Sequence, residues 1–104
     1  MLERELEKIF VTEMKKLGGY AYKFVSPGND GVPDRIAIFP DGRLVFAELK
    51  ADGGTLSALQ EVQLNRLWGL NQRAAIVKGV QGLVEFFGDN GYPEVAANLE
   101  RRYG

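Results

Sequence analysis

Three charged residues occur in two apolar segments of the sequence, where charged side chains are unexpected. Asp34 follows Pro33 in the segment 31–39, and Glu48 and Lys50 lie in the segment 44–50. Both segments are rich in Ile, Val, Phe, Leu and Ala, which is typical of buried strands. Because an ionised group in a buried strand is costly without a partner, these residues need an opposite charge or a bound cation.

The spacing of these residues predicts that they share one face of a hairpin. Side chains alternate across a strand, so Glu48 and Lys50 point to the same face. A three-residue turn between the strands would pair Phe39 with Arg43. This register places Asp34 opposite Glu48, with Cβ atoms about 5 Å apart. A two-residue turn would instead send the two carboxylates to opposite faces.

Two carboxylates at this distance repel each other unless a proton or a cation lies between them. Mg²⁺ prefers such hard oxygen ligands, and its shell often includes water and substrate phosphate oxygens. Lys50 beside that shell would hold or deprotonate an attacking water and offset charge on a phosphate. The alternative is a structural ion pair of Lys50 with Glu48 or Asp34. The apolar setting and the preceding Pro33 favour the metal site.

The extended pattern around these residues resembles a nuclease family. Pro33-Asp34 followed by Glu48-Leu49-Lys50 is similar to the PD-(D/E)xK nuclease signature. The chain further resembles the VRR-NUC branch of that superfamily, in its short stand-alone form, through the segments 22–28, 31–35, 46–50 and 56–60. The likeness covers most of the chain up to about residue 80. It implies a restriction-endonuclease-like α/β fold.

The resemblance also implies roles for the central residues. Asp34 and Glu48 would bind one or two Mg²⁺ ions, for which Mn²⁺ would substitute. The main-chain carbonyl of Leu49 would be a further metal ligand. Lys50 would position and help to activate water. No small-molecule cofactor is implied.

Two outer residues are expected to complete the site. In the resembling family a glutamate of the first helix reaches the metal, directly or through water. Glu7 is favoured for this role by its distance to the glycines that end the helix, and Glu3 is the second choice. Gln60 matches the glutamine of the family segment, although Ser57 and Gln60 also fit a helix capping box. Gln63, one turn further on, is the alternative position.

Nucleic-acid contacts are predicted around the glycine-rich loop 26–31. Such a loop just before Asp34 would allow close approach of a substrate backbone, with Ser26 and Asn29 donating to phosphate. A net charge of -1 is unusual for a nucleic-acid binder, because such proteins commonly carry a basic excess. The candidate phosphate-binding cations are Lys23, Arg35, Lys50, Arg66, Arg73 and Lys78.

Length and composition limit the possible classes of protein. The 104 residues suffice for a single domain, 1–104, with one modest core. Cysteine and histidine are absent, so catalysis would depend on carboxylates, Lys, Ser or Tyr. The sequence contains no long apolar run and no basic-then-apolar leader, and we expect a cytoplasmic protein without membrane contact.

The periodicity predicts the element order αβββαβα plus a C-terminal helix, with the helices flanking a central mixed sheet. Helices are expected at 2–17, about 57–70, 80–87 and 93–103, and strands at 20–25, around Asp34 and Glu48, and at 73–78. Four residues are predicted to form the buried side of the second helix: Leu59, Val62, Leu67 and Leu70.

The sequence therefore predicts a metal-dependent, structure-selective DNA endonuclease. Stand-alone members of the family resemble Holliday-junction resolvases, which implies a homodimer acting on a four-way junction. Trp68, Phe86 and Phe87 are candidates for an exposed apolar interface. The alternative is a non-catalytic nucleic-acid-binding or interaction subunit of a DNA repair or replication machine.

Overall fold

The computed structural model describes all 104 residues, arranged as four helices and four strands. The helices are α1 (Glu3–Lys16), α2 (Ala58–Gly69), α3 (Gly79–Asp89) and α4 (Pro93–Tyr103), and the strands are β1 (Tyr20–Lys23), β2 (Arg35–Ile38), β3 (Leu44–Lys50) and β4 (Ala74–Lys78). The predicted order and the α/β class are confirmed. No helix combines the length and the apolar character needed to cross a bilayer.

A mixed sheet with the order β1-β2-β3-β4 forms the centre of the fold. Strands β1, β2 and β3 are antiparallel neighbours, whereas β4 pairs with β3 in parallel. A parallel pair needs a crossover connection, and α2 lies in the connection between β3 and β4.

The turn between β2 and β3 contains three residues, as predicted. Phe39 N–H donates to the Arg43 carbonyl at 2.9 Å, and Gly42 N–H donates to the Phe39 carbonyl at 2.9 Å. Gly42 has a φ of 92°, which glycine adopts without the steric penalty of a Cβ atom. Arg35 consequently pairs with Ala47. Counting one further residue along each strand places Asp34 opposite Glu48, which confirms the predicted register.

The core lies between one face of the sheet and the helices α1, α3 and α4. Its sheet residues are small or aliphatic and alternate along the strands, and its helical residues include Leu6, Phe10, Met14, Leu83, Phe86, Phe87 and Leu99. The prediction that Phe86 and Phe87 are exposed is wrong. Both rings pack on Phe10, with centroids 4.9 and 6.1 Å away, because α3 is a core helix.

Helix α2 lies on the opposite side of the sheet and buries little apolar surface. Leu64 is its buried residue, whereas Leu59 is 55% and Leu70 is 64% exposed. The predicted buried side of α2 is therefore wrong for Leu59, Val62 and Leu70, whereas Leu67 is partly buried. The face of α2 that is turned towards the sheet begins with Gln60, one turn before Leu64. Gln60 contacts the carboxylate of Glu48 on β3.

Candidate metal and catalytic site

Asp34, Glu48 and Lys50 lie together on the sheet face opposite the core. Ala47 and Leu49 are buried in the core, so the intervening Glu48 and the following Lys50 point to the other face. Asp34 immediately precedes β2 and accepts a hydrogen bond through Oδ2 from Leu49 N–H at 2.9 Å. This bond fixes the Asp34 carboxylate against β3.

Glu48 is the one buried carboxylate of the molecule, with 1% of its surface exposed. Its Oε2 atom accepts a hydrogen bond from Gln60 Nε2 at 2.9 Å and lies 3.7 Å from Lys50 Nζ. Its Oε1 atom is buried without any hydrogen-bond partner. A buried polar atom without a partner is uncommon in folded proteins and marks a place where a ligand is expected.

Burial raises the pKa of Glu48 to about 7, and the negative charge of Asp34 adds to the increase. Lys50 acts in the opposite direction, and the more distant charge of Glu3 raises the pKa further. Both main causes disfavour the ionised form of Glu48. A bound cation would reverse this balance, because it stabilises both carboxylates.

The residues of this cluster fit a hard divalent cation. Glu48 offers an unpartnered carboxylate oxygen, and Asp34 faces it across the strands. Oxygen donors of this kind are suited to Mg²⁺. No group of three or more acidic side chains is placed to hold a metal ion, so a shell built here would draw further oxygens from water, main chain or substrate. The Leu49 carbonyl as one of them stays a prediction.

Lys50 is the cation of the cluster. Its side chain is 16% exposed, and Glu48 is its sole ion-pair partner. Like Glu48, it belongs to the regular strand β3, and its ammonium group lies beside the Glu48 carboxylate.

Gln60 serves both as a helix cap and as a partner of Glu48. Ser57 Oγ accepts from Gln60 N–H at 3.2 Å, while Gln60 Oε1 accepts from Ser57 N–H at 2.9 Å, which completes a capping box. The remaining amide group of the side chain donates to Glu48. Gln63 instead donates to the Asp30 carbonyl at 3.4 Å, so it holds the preceding loop.

The structure does not place Glu7 with this cluster. Its Oε2 atom accepts from Arg35 Nε at 2.8 Å and lies 3.8 Å from Lys23 Nζ. Arg35 follows Asp34 in the chain and therefore points to the α1 side of the sheet, where it holds Glu7. Glu3, one turn earlier in α1, is the helical carboxylate whose charge acts on Glu48. The sequence placed both glutamates on one helical stripe, but it did not show how far α1 extends past the sheet.

The predicted nucleic-acid residues are only partly accessible. Arg35 is 19% exposed and also donates to the Ala21 carbonyl at 3.3 Å, which indicates a structural role instead of a free phosphate contact. Lys23 is exposed at the edge of the sheet. Ser26 and Asn29 lie on the exposed loop, and Asn29 Nδ2 donates to Ser26 Oγ at 2.9 Å. The largest pocket, about 550 Å³, lies between α1 and α4 and contains none of the predicted site residues.

Comparison with known proteins agrees with the fold. No protein-family model matches the sequence. A protein of Acyrthosiphon pisum secondary endosymbiont phage 1, named "Putative nuclease p44", is 43% identical over 75 residues, which are 72% of this chain and 81% of that protein. A solved structure described as a VRR_NUC domain is 21% identical and superposes with a TM-score of 0.68 over 99% of both chains.

The four-stranded mixed sheet with its flanking helices is thus the fold of a nuclease domain. The chain belongs to the VRR-NUC family.

Proposed function

We propose that this protein is a metal-dependent endonuclease that hydrolyses phosphodiester bonds in DNA. The observation that carries the proposal is the buried Glu48, which faces Asp34 and has one carboxylate oxygen without a partner. Such a pair gains no stability from its own charges, and it is well suited to a cation and a reacting phosphate. The nuclease name of the phage relative supports the same reaction.

Asp34 and Glu48 would hold Mg²⁺, with Mn²⁺ as a substitute. When bound, Mg²⁺ supplies Lewis-acid stabilisation of phosphate charge and lowers the pKa of water. The hydrogen bond from Leu49 N–H keeps one Asp34 oxygen oriented, and the bond from Gln60 does the same for Glu48. The two carboxylates are therefore held in position before substrate binds, so little reorganisation of these side chains is needed on binding.

Lys50 would act on the reacting groups directly. Its ammonium group lies beside Glu48 and on the same face as Asp34, where it offsets negative charge on the phosphate and orients the attacking water. Gln60 holds Glu48 and is a positioning residue. The glutamate of α1 that would reach the metal, directly or through water, is Glu3 in preference to Glu7, because Glu7 is paired with Arg35.

The substrate we propose is branched DNA, and in particular a four-way junction cut by a homodimer. A junction with two-fold symmetry is matched by a two-fold dimer that presents two equivalent sites. The exposed apolar residues of α2, namely Leu59, Val62, Trp68 and Leu70, are available for such an interface. They take the place of Phe86 and Phe87, which belong to the core.

Cleavage of labelled DNA tests the proposal. Four-way junction, flap, duplex and single-stranded DNA are incubated with the protein and Mg²⁺ or Mn²⁺, and EDTA is added in a parallel set. The variant Glu48→Gln removes the ionised carboxylate but keeps its shape. We expect cleavage to fall by at least about a hundredfold in Glu48→Gln and to stop with EDTA.

Glu94→Gln is the matched control, because Glu94 is an exposed glutamate of α4 that makes no ion pair. It should cleave at the wild-type rate. Normal cleavage by Glu48→Gln would refute the assignment. A wild-type protein that binds these DNAs but never cuts them would instead support the non-catalytic alternative.

A further inference from the structure

Two lysines occupy neighbouring positions at the ends of β3 and β4. The parallel register pairs Glu48 with Ile76 and Lys50 with Lys78. Adjacent strands lie about 4.8 Å apart, so the two lysine side chains begin from neighbouring backbone positions. The end of β4 therefore lies directly beside the candidate site.

The alternation of side chains places Lys78 on the face that carries Glu48. Val77 is fully buried in the core, so the next residue of the strand points to the opposite face. Lys78 is exposed there. Lys50 reaches the same face because Leu49 before it is also a core residue.

Lys50 and Lys78 differ in their charge partners. Lys50 is paired with Glu48, whereas Lys78 makes no ion pair within 4 Å. Asp52 is the acidic residue beside this strand end, and its carboxylate packs against the Cα atom of Gly79 without pairing with Lys78. Side-by-side positive charges on neighbouring strands are unfavourable in the free protein. An anion that binds beside both of them removes this repulsion.

We propose that Lys78 binds a backbone phosphate of the nucleic acid next to the phosphate that is cleaved. This inference rests on the proposed nuclease function and adds a substrate-binding residue to it. Lysine is suited to the role because its ammonium group contacts phosphate as a compact point charge from a flexible stem. The catalytic groups lie one strand away, so Lys78 contributes to binding and does not act on the reacting atoms.

The variants Lys78→Ala, Lys78→Arg and Lys8→Ala test this assignment. Lys8 is an exposed lysine of α1 without an ion pair, and it serves as the matched control for the loss of one positive charge. Fluorescence anisotropy with labelled duplex and four-way junction DNA is measured in EDTA buffer, at salt from about 50 to about 200 mM.

Lys78→Ala should bind both DNAs about tenfold more weakly, as expected for the loss of one charge-assisted contact. The slope of log affinity against log salt should decrease in magnitude by about 0.9, which corresponds to one fewer phosphate neutralised. Lys78→Arg should retain most of the affinity, and Lys8→Ala should match the wild type. In cleavage with Mg²⁺, Lys78→Ala should raise KM with little change in kcat.

Asp52→Asn separates this role from a structural one. If Lys78 acted by pairing with Asp52, then Asp52→Asn would reproduce the weaker binding and both variants would unfold at lower urea concentration. That result would overturn the assignment, as would binding by Lys78→Ala equal to that of Lys8→Ala while the wild type still cuts DNA. A wild-type protein that neither binds nor cuts DNA would overturn the proposed function and this inference together.

Discussion

Glu48 is held in surroundings that oppose its own ionisation. Burial and the facing Asp34 both favour the protonated form, and Lys50 only partly compensates. The carboxyl group is nevertheless fixed by Gln60 on one oxygen and left free on the other. An ionised cluster with these properties costs stability, and a divalent cation bound between the two carboxylates would offset that cost.

The metal-free protein should lose stability as the pH rises through the titration of Glu48. Its pKa of about 7 in the folded state exceeds the ordinary value of 4.5 for a glutamate, so the folded state binds the proton more tightly. The resulting stabilisation is complete below about pH 4.5 and is lost as the pH rises through about 7. Urea unfolding in EDTA should show a decrease on the order of 3 kcal/mol at most relative to Glu48→Gln.

Glu48→Gln provides the reference because it cannot titrate while all other groups remain. The difference in free energy of unfolding between the two proteins should therefore follow Glu48 alone. Addition of Mg²⁺ at pH 7.5 should stabilise the wild type and leave Glu48→Gln nearly unchanged. Parallel pH profiles for the two proteins in EDTA would contradict the raised pKa.

The residues of the site were predictable where strand geometry alone decides their positions. Alternation along β3 and the count of residues across the turn place Asp34, Glu48 and Lys50 on one face, as the structure shows. The position of Glu7 was not predictable in this way. It depends on how α1 packs on the sheet through Leu6, Phe10 and Met14, and in that packing Glu7 accepts a hydrogen bond from Arg35.

At the scale of elements, the loop before β2 and the start of α2 position each other. Gly31 has a φ of 87°, and a Cβ atom there would lie 2.6 Å from the Leu59 main-chain carbon. Because Gln60 follows Leu59, this close contact helps to set the distance between Gln60 and Glu48. The loop that was predicted to admit substrate therefore also helps to hold Gln60 in position beside Glu48.

Gly31→Ala should destabilise the protein more than Gly28→Ala does. Gly28 has a similar φ of 81° but open space around it, so its substitution costs only the backbone term, about 1 kcal/mol. Gly31→Ala adds an overlap with α2 worth about a further 1–3 kcal/mol. Urea unfolding measures both changes, and cleavage should fall in Gly31→Ala alone. Equal effects of the two variants would show that the contact with α2 is unimportant.

The start of α2 could be predicted from its capping residues. The burial of α2 could not be predicted from its apolar residues. Ser57 and Gln60 mark the start of α2, and the structure shows the capping box that they predict. Its apolar residues suggested a core helix. In the fold α2 covers only part of one sheet face, because that face also carries the charged cluster, and most of its leucine and valine side chains remain at the surface.

For the whole molecule, the exposed side of α2 is the surface through which we expect a second copy to bind. Leu59, Val62 and Leu70 are all largely exposed, and no other element of the chain covers them. Leu83, Phe86 and Phe87 of α3 are buried in the core and are not available for this purpose. In the proposed dimer, each α2 would lie between the candidate site of its own chain and the partner subunit.

The double variant Val62→Lys and Leu70→Lys should convert the dimer into a monomer, because it places two charges in the apolar surface. Sedimentation velocity at micromolar concentration measures the change. Val25→Lys is the control, since Val25 is 71% exposed but lies outside α2. A wild-type protein that sediments as a monomer would contradict the dimer and would favour a flap or nicking activity.

The three-residue connection between β2 and β3 has a consequence far from its own location. Asp34 and Glu48 face each other because three residues separate Phe39 from Arg43, whereas a two-residue turn would shift the register by one and send the two carboxylates to opposite faces. Deleting one residue at this exposed tip, with re-pairing of the strands around a two-residue turn, would move one carboxylate out of the cluster without altering any residue near it. The length of this distant turn therefore helps to determine the chemistry of the site, and its composition is restricted at Gly42, whose φ of 92° favours glycine.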